Sequence, residues 1–160
     1  MKKLFLIFSL FIAFSCFGQK TNKYAGLYSY GANIEKERIG NMIIYPETDS
    51  TILFYLDANR GAPSYNMGML YGSVKIKNNA GIYYFKFDHE ARGCKLSFAF
   101  STNKLTIKTI ENNDGCLMGK GVYPDAVFNR KSNKLIEYFE DPESRKVYFN
   151  QTKPKDYYHN

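Results

Sequence analysis

Three cysteines, two histidines and a scatter of carboxylates are the residues of this chain able to carry covalent, metal or acid–base chemistry. Their spacing argues against most of it. His89 lies between Asp88 and Glu90 at the end of an apolar alternation; adjacent side chains of an extended strand point to opposite faces, so the three cannot hold one metal without a turn. The segment reads as a solvated strand end. His159 is the penultimate residue, in a tail expected to fray. There is no Gly-x-Ser-x-Gly elbow, no His-Glu-x-x-His pair and no phosphate loop. Asp57, Asp114 and Asp125 could serve as a glycosidase pair only if the fold brought two of them within roughly 5–10 Å. The reading therefore leans away from an enzyme and expects no cofactor, no catalytic residue and no metal ligand. A carboxylate-dependent hydrolase acting on envelope glycans stays as the alternative, with a structural component of an envelope assembly beside it.

The cysteines divide between a leader and a mature domain. Met1, Lys2 and Lys3 precede an uncharged run from Leu4 to Phe14, the positive start and apolar middle of a secretory signal. The run is too short to span a bilayer, which takes about 20 apolar residues. Cys16 and Gly18 fit the small-residue positions of a signal peptidase site, so residues 1–18 are expected to be removed, leaving 19–160 as a single β domain. The alternative makes Cys16 a lipidated first residue, but Ala13-Phe14-Ser15 lacks the Leu that such a site favours. The mature protein is expected to be secreted or periplasmic, or in the alternative lipid-anchored through Cys16, with no transmembrane span. Cys94 and Cys116 remain, an even pair bound for an oxidising compartment. Their disulfide would close a loop of about 21 residues and contribute ~3 kcal/mol on the chain-entropy model.

Removing the leader takes two lysines and no acid, so the formal charge of +7 falls to +5. The lysines are interspersed with acids, which reads as solubility and not as a nucleic-acid footprint.

The elements that must position these residues are short strands. Apolar alternation marks ten: Ala25 to Tyr30, Met42 to Tyr45, Thr51 to Asp57, Met69 to Ile76, Ile82 to Phe87, Lys95 to Phe100, Leu105 to Ile110, Ala126 to Phe128, Leu135 to Phe139 and Val147 to Phe149. Turn residues separate them closely enough for antiparallel hairpins. The fold class is all-β, an antiparallel barrel or curved sandwich of about eight to ten strands, with Leu135 to Phe149 as the closing hairpin. In the clearest hairpin Cys94, Leu96, Phe98, Phe100, Leu105 and Ile107 share the core face, and Lys95, Thr106 and Lys108 face out. Ile52 to Leu56 and Ile82 to Phe87 are apolar on both faces, so each is expected to be covered twice or to line a cavity. Glu35 to Arg38 reads as a connection with a turn or two of helix. Asp57 to Gly68 reads as the longest loop, and if the domain binds a ligand, Arg60 and Tyr65 are the polar and stacking groups expected to do it. The competing view has Pro63 and Tyr65 plug the barrel end.

Three resemblances accompany these residues. The leader resembles those of exported Bacteroidota proteins that end in Phe-Gly-Gln. The segments Cys94 to Phe100 and Cys116 to Val122 resemble those of small exported bacterial β proteins, some of them lysozyme-inhibitor-like, although Leu117-Met118 stands where those tend to have Gly-Phe. Tyr24-Ala25-Gly26-Leu27-Tyr28 resembles the start of the first strand in lipocalin-like barrels, with Tyr28 in place of the usual Trp. With the fourteen tyrosines all outside the leader, these imply a non-catalytic envelope binding protein. Its partner would be a small molecule, a glycan or a cell-wall hydrolase.

Overall fold

The computed structural model describes residues 22–86, 93–110, 116 and 118–158. The leader, Phe87, His89, Asp114 and His159 lie outside them. A 3-10 turn, Asn22–Tyr24, leads into ten strands: β1 (Gly26–Tyr30), β2 (Ile39–Pro46), β3 (Thr51–Asn59), β4 (Met67–Lys75), β5 (Ala80–Phe85), β6 (Cys94–Ser101), β7 (Lys104–Thr109), β8 (Ala126–Ser132), β9 (Tyr138–Glu140) and β10 (Lys146–Tyr148). A four-residue helix, α1 (Pro154–Tyr157), follows. Strands β1 to β8 make one antiparallel sheet in the order β4-β3-β2-β1-β8-β7-β6-β5. Every strand but β4 and β5 lies between its sequence neighbours, with β1 against β8. This is an up-and-down barrel, nearly closed, whose remaining seam runs between β4 and β5.

The central hairpin has the register its alternation predicts, Leu96 opposite Thr109, Phe98 opposite Ile107 and Phe100 opposite Leu105. Cys94, Leu96, Phe98, Phe100, Leu105 and Ile107 are all buried, while Lys108 is exposed and Lys95 and Thr106 are half-exposed. Side chains meet across the interior: Phe54 of β3 lies 4.8 Å from Phe98 of β6, and Tyr28 of β1 lies 6.3 Å from Phe100 of β6. The inward residues form one continuous apolar cluster.

Strand β3 is covered on both faces. Ile52, Phe54, Leu56 and Ala58 face the interior, and Leu53 and Tyr55 join Tyr71, Phe139 and Phe149 in a second cluster on the outer wall. The closing-hairpin expectation needs correction here. The chain from Leu135 to Phe149 does not enter the barrel; β9 and β10 pair only with each other and lie over β3 and β4. The reason is the outer apolar surface of those strands, which needs a cover: Tyr55 stacks on Phe139 at 3.9 Å and 10°. By contrast β5 is covered on one face only, with Ile82 52% and Tyr84 59% exposed.

Two further expectations are revised. Ala58 and Asn59 continue β3 past Asp57, where the predicted strand ends, in register with Gly40 and Ile39 of β2, so the long loop shrinks to 60–66. Glu35 to Arg38 forms no helix; Lys36 and Glu37 donate their N–H groups to the Asn33 carbonyl at 3.0 Å in a tight turn.

The seam is closed by three different devices. The Lys77–Ala80 bridge joins β4 and β5 at their shared turn. Farther along, the Tyr83 ring fills the gap against Gly72, where a Cβ would lie 2.4 Å from it. Tyr158 comes next: its hydroxyl accepts a hydrogen bond from the Tyr71 N–H at 2.8 Å and donates one to the Tyr71 carbonyl at 3.0 Å.

Candidate functional site

The connections β1–β2, β3–β4 and β7–β8 converge at one end of the barrel. The 60–66 loop is bound to both neighbours. Gly61, at φ +81, comes so near the Glu37 and Ile34 carbonyls that a Cβ would stand 2.5 and 2.8 Å from them; only glycine allows this approach at that backbone angle. Beside it the Ala62 N–H donates to the Ile34 carbonyl at 2.9 Å. Asn59 is 8% exposed and uses both ends of its amide inside the loop, donating to the Tyr65 carbonyl at 3.1 Å and accepting from the Gly61 N–H at 2.7 Å. On the other flank the Asn66 amide donates to the Lys120 carbonyl at 2.7 Å, and the Gly119 N–H donates to the Met67 carbonyl at 3.0 Å.

The described part of the β7–β8 connection is tied down as well. Cys94 and Cys116 form a disulfide with Cα atoms 4.4 Å apart, both cysteines fully buried. At the base of the same connection Asp125 accepts from the Thr109 N–H at 3.0 Å and its hydroxyl at 2.5 Å. Asp125 is thereby a loop anchor. Asp57 projects from the outer wall of β3, half-buried, and burial raises its carboxyl above the ordinary carboxylate range. Among the described residues no group of three or more His, Cys, Asp and Glu is placed to hold a metal ion.

Arg60 and Tyr65 both sit on this end, and both are exposed. They lean in opposite directions. Arg60 lies over Gly121, where a Cβ would stand 2.9 Å from its Nη1. Tyr65, at φ 50, donates its hydroxyl to Glu35 Oε2 at 2.5 Å, and that bond raises its pKa. Tyr65 is 41% exposed and Pro63 is exposed too, so neither plugs the barrel. Met67, the first residue of β4, and Tyr123, in the β7–β8 connection, are exposed as well, at 51% and 48%. Sequence reasoning missed Glu35, Asn59, Asn66 and Gly121. The asparagines flanking the loop were its one readable signal, since Asn commonly bonds neighbouring backbone in turns.

Depressions among the described residues lie elsewhere, and three of them are sizeable. Two adjoin at the opposite end, of about 520 and 510 Å³, sharing Lys23, Tyr24 and Asn79. Asn79 Oδ1 accepts there from Lys23 Nζ at 2.8 Å and from the Tyr24 hydroxyl at 2.7 Å. The third, about 560 Å³, runs along 135–140 beside Ile43.

Fold and site together define a disulfide-linked, up-and-down β-barrel carrying an ordered loop surface at one end. Comparison with protein-family models, with curated proteins and with solved structures finds no match to the chain in any of the three.

Proposed function

We propose that the protein is an exported, non-catalytic binding protein of the cell envelope, and that it engages its ligand with the loop end that carries Arg60 and Tyr65. The observation that carries this reading is the ordering of that surface. Three connections are fastened to one another by backbone and amide hydrogen bonds, yet Arg60, Tyr65 and Tyr123 stay exposed on them, as does Met67 where β4 begins. A surface held in place before binding loses little entropy on binding, and arginine and tyrosine are enriched among residues that dominate interfaces. The rings that meet across the barrel interior favour a ligand held outside, a glycan or a protein such as a cell-wall hydrolase, over a small molecule enclosed within.

The test is a binding screen of the mature protein against lysozymes, cell-wall glycans and lipid vesicles, repeated with Arg60→Ala and Tyr65→Ala. One ligand is expected to bind below high micromolar concentration, with each variant losing at least fivefold in affinity at nearly unchanged melting temperature. Absence of binding to every member of the panel, or unchanged affinity in both variants, overturns the reading.

A further inference from the structure

The β4 edge at Tyr71 is occupied by a side chain doing the work of a strand. In an antiparallel ladder the N–H and C=O of one residue are met by the peptide groups of one partner residue. At Tyr71 a single hydroxyl, that of Tyr158, meets both, at 2.8 and 3.0 Å. The Tyr71 side chain adds a second tie, its own hydroxyl donating to the Thr152 carbonyl at 2.6 Å.

The segment that supplies Tyr158 is attached at several points. Helix α1 has no buried residue. Its contacts include those of Tyr157, whose ring meets Tyr71 at 5.6 Å and Phe139 at 5.7 Å, of Tyr158, whose ring meets Phe85 of β5 at 5.4 Å, and the Lys153–Glu47 ion pair at 2.5 Å. Tyr158 packs against both the interior and the outer apolar clusters, so it stands within the wall. Behind it the Tyr83 hydroxyl is buried without a hydrogen-bond partner, on a residue only 3% exposed. The seam therefore has a strand edge, an aromatic lining and a buried hydroxyl without a partner, and the segment that covers it is pinned farther back to Glu47 of the β2–β3 connection.

We infer that the β4–β5 seam is a peptide-binding slot, held closed in the free protein by the chain's own Lys153–Tyr158 segment, and that its partner is a peptide with a basic residue five positions before a tyrosine and an aromatic residue just before that tyrosine. The resident segment states that chemistry: Lys153 pairs with Glu47, Tyr157 packs on Tyr71 and Phe139, and Tyr158 bonds the β4 edge. An incoming peptide displaces it and makes the same three contacts with its own side chains.

The probe is a fluorescent synthetic peptide copying residues 153–158, added to the full-length mature protein and followed by anisotropy. The wild-type chain, occupied by its own segment, is expected to bind it at least tenfold more weakly than Tyr158→Ala. A peptide with Phe at the Tyr158 position is expected to bind Tyr158→Ala at least fivefold more weakly than the parent peptide. A folded Tyr158→Ala chain that binds the peptide no better than wild type overturns the inference. If Tyr158→Ala does not fold, Tyr158→Phe, which keeps the ring, takes its place; faster hydrogen exchange at the Tyr71 amide and stronger peptide binding than wild type are expected, and wild-type behaviour in both overturns the inference.

Discussion

The Arg130 guanidinium stands 5.6 Å from the centroid of the Tyr28 ring and donates from Nη1 to the Lys23 carbonyl at 3.0 Å and from Nη2 to the Ala25 carbonyl. Tyr28 completes the arrangement by donating its hydroxyl to the Tyr24 carbonyl at 2.8 Å. The chain entering β1 thus has three successive odd and even carbonyls met by two side chains from β1 and β8, which closes the barrel end opposite the loop surface. Carbonyls approaching a core need such partners. Here Tyr28 supplies both a ring for the cation and a donor for the backbone.

Arg130→Met is expected to lower unfolding stability by about 2 kcal/mol, because a charge-assisted hydrogen bond contributes about 1.5–3 kcal/mol and the Ala25 carbonyl it served is partly buried, while water can reach the Lys23 carbonyl. Arg130→Lys should recover little of this, since an ammonium cannot fork to two carbonyls while lying over a ring. Urea denaturation of the three proteins measures the difference. A loss below about 0.5 kcal/mol for Arg130→Met would show that the N-terminal turn is held by other contacts.

Replacing Cys94 and Cys116 together by alanine is expected to cost about 3 kcal/mol, the loop-closure entropy for cysteines 22 residues apart. The loss should appear in denaturation of the double variant. The exposed face of the β6–β7 hairpin is unaffected by the exchange, so hydrogen exchange at Ser97 and Lys108 should change less than at Thr109, which the Asp125 anchor ties to the same connection.

How far the sequence carries the fold depends on where each contact is encoded. From Cys94 to Phe100 every second residue is apolar and the register follows, since a one-residue slip would turn Phe98 outward. In Ile52 to Leu56 the run is apolar throughout, which tells that two covers exist but not which segments provide them. The outer cover came from Phe139 and Phe149, eighty residues and more along the chain. Asp57 read as the point where strand gives way to loop, yet β3 runs on past it, and it sits in register opposite Asn41 and Met69 on a wall that water partly reaches. Arg60 and Tyr65 were legible as residues of an exposed loop. Their divergence toward Gly121 and Glu35 was not, because it depends on how three separate connections meet. Tyr158 lay in a tail with no local pattern at all.

Gly72→Ala tests the packing of the seam. The new methyl would stand 2.4 Å from the Tyr83 ring and 2.6 Å from the Phe54 ring. Both rings are buried, at 3% and 0% exposure, and meet edge to face at 5.1 Å, so neither can withdraw without disturbing the other. Overpacking of this kind costs about 1–3 kcal/mol. A thermal melt should show the variant well below wild type. A companion Gly72→Ala, Tyr83→Leu protein, with the obstructing ring shortened, should regain part of the loss, and an equal loss in both would locate the strain elsewhere.

Asp57 gives a pH dependence whose sign follows from its position. Burial raises its carboxyl above the ordinary value, so the folded protein holds this proton at pH values where the unfolded chain has released it. Where the native state binds more protons, stability falls as pH rises. The unfavourable contribution is therefore absent in acid, grows as pH climbs from the ordinary carboxylate value through the raised one, and is constant above that. Asp57→Asn stays neutral throughout and lacks it. The difference in unfolding stability, wild type minus variant, should decline between about pH 3 and pH 7 and then level, leaving Asp57→Asn the more stable protein at neutral pH. Urea denaturation of both proteins across that range, compared at each pH so that all other titrations cancel, measures it. A difference that rises with pH would mean that Asp57 is stabilised as a carboxylate in the fold, and would overturn burial as the cause of its shift.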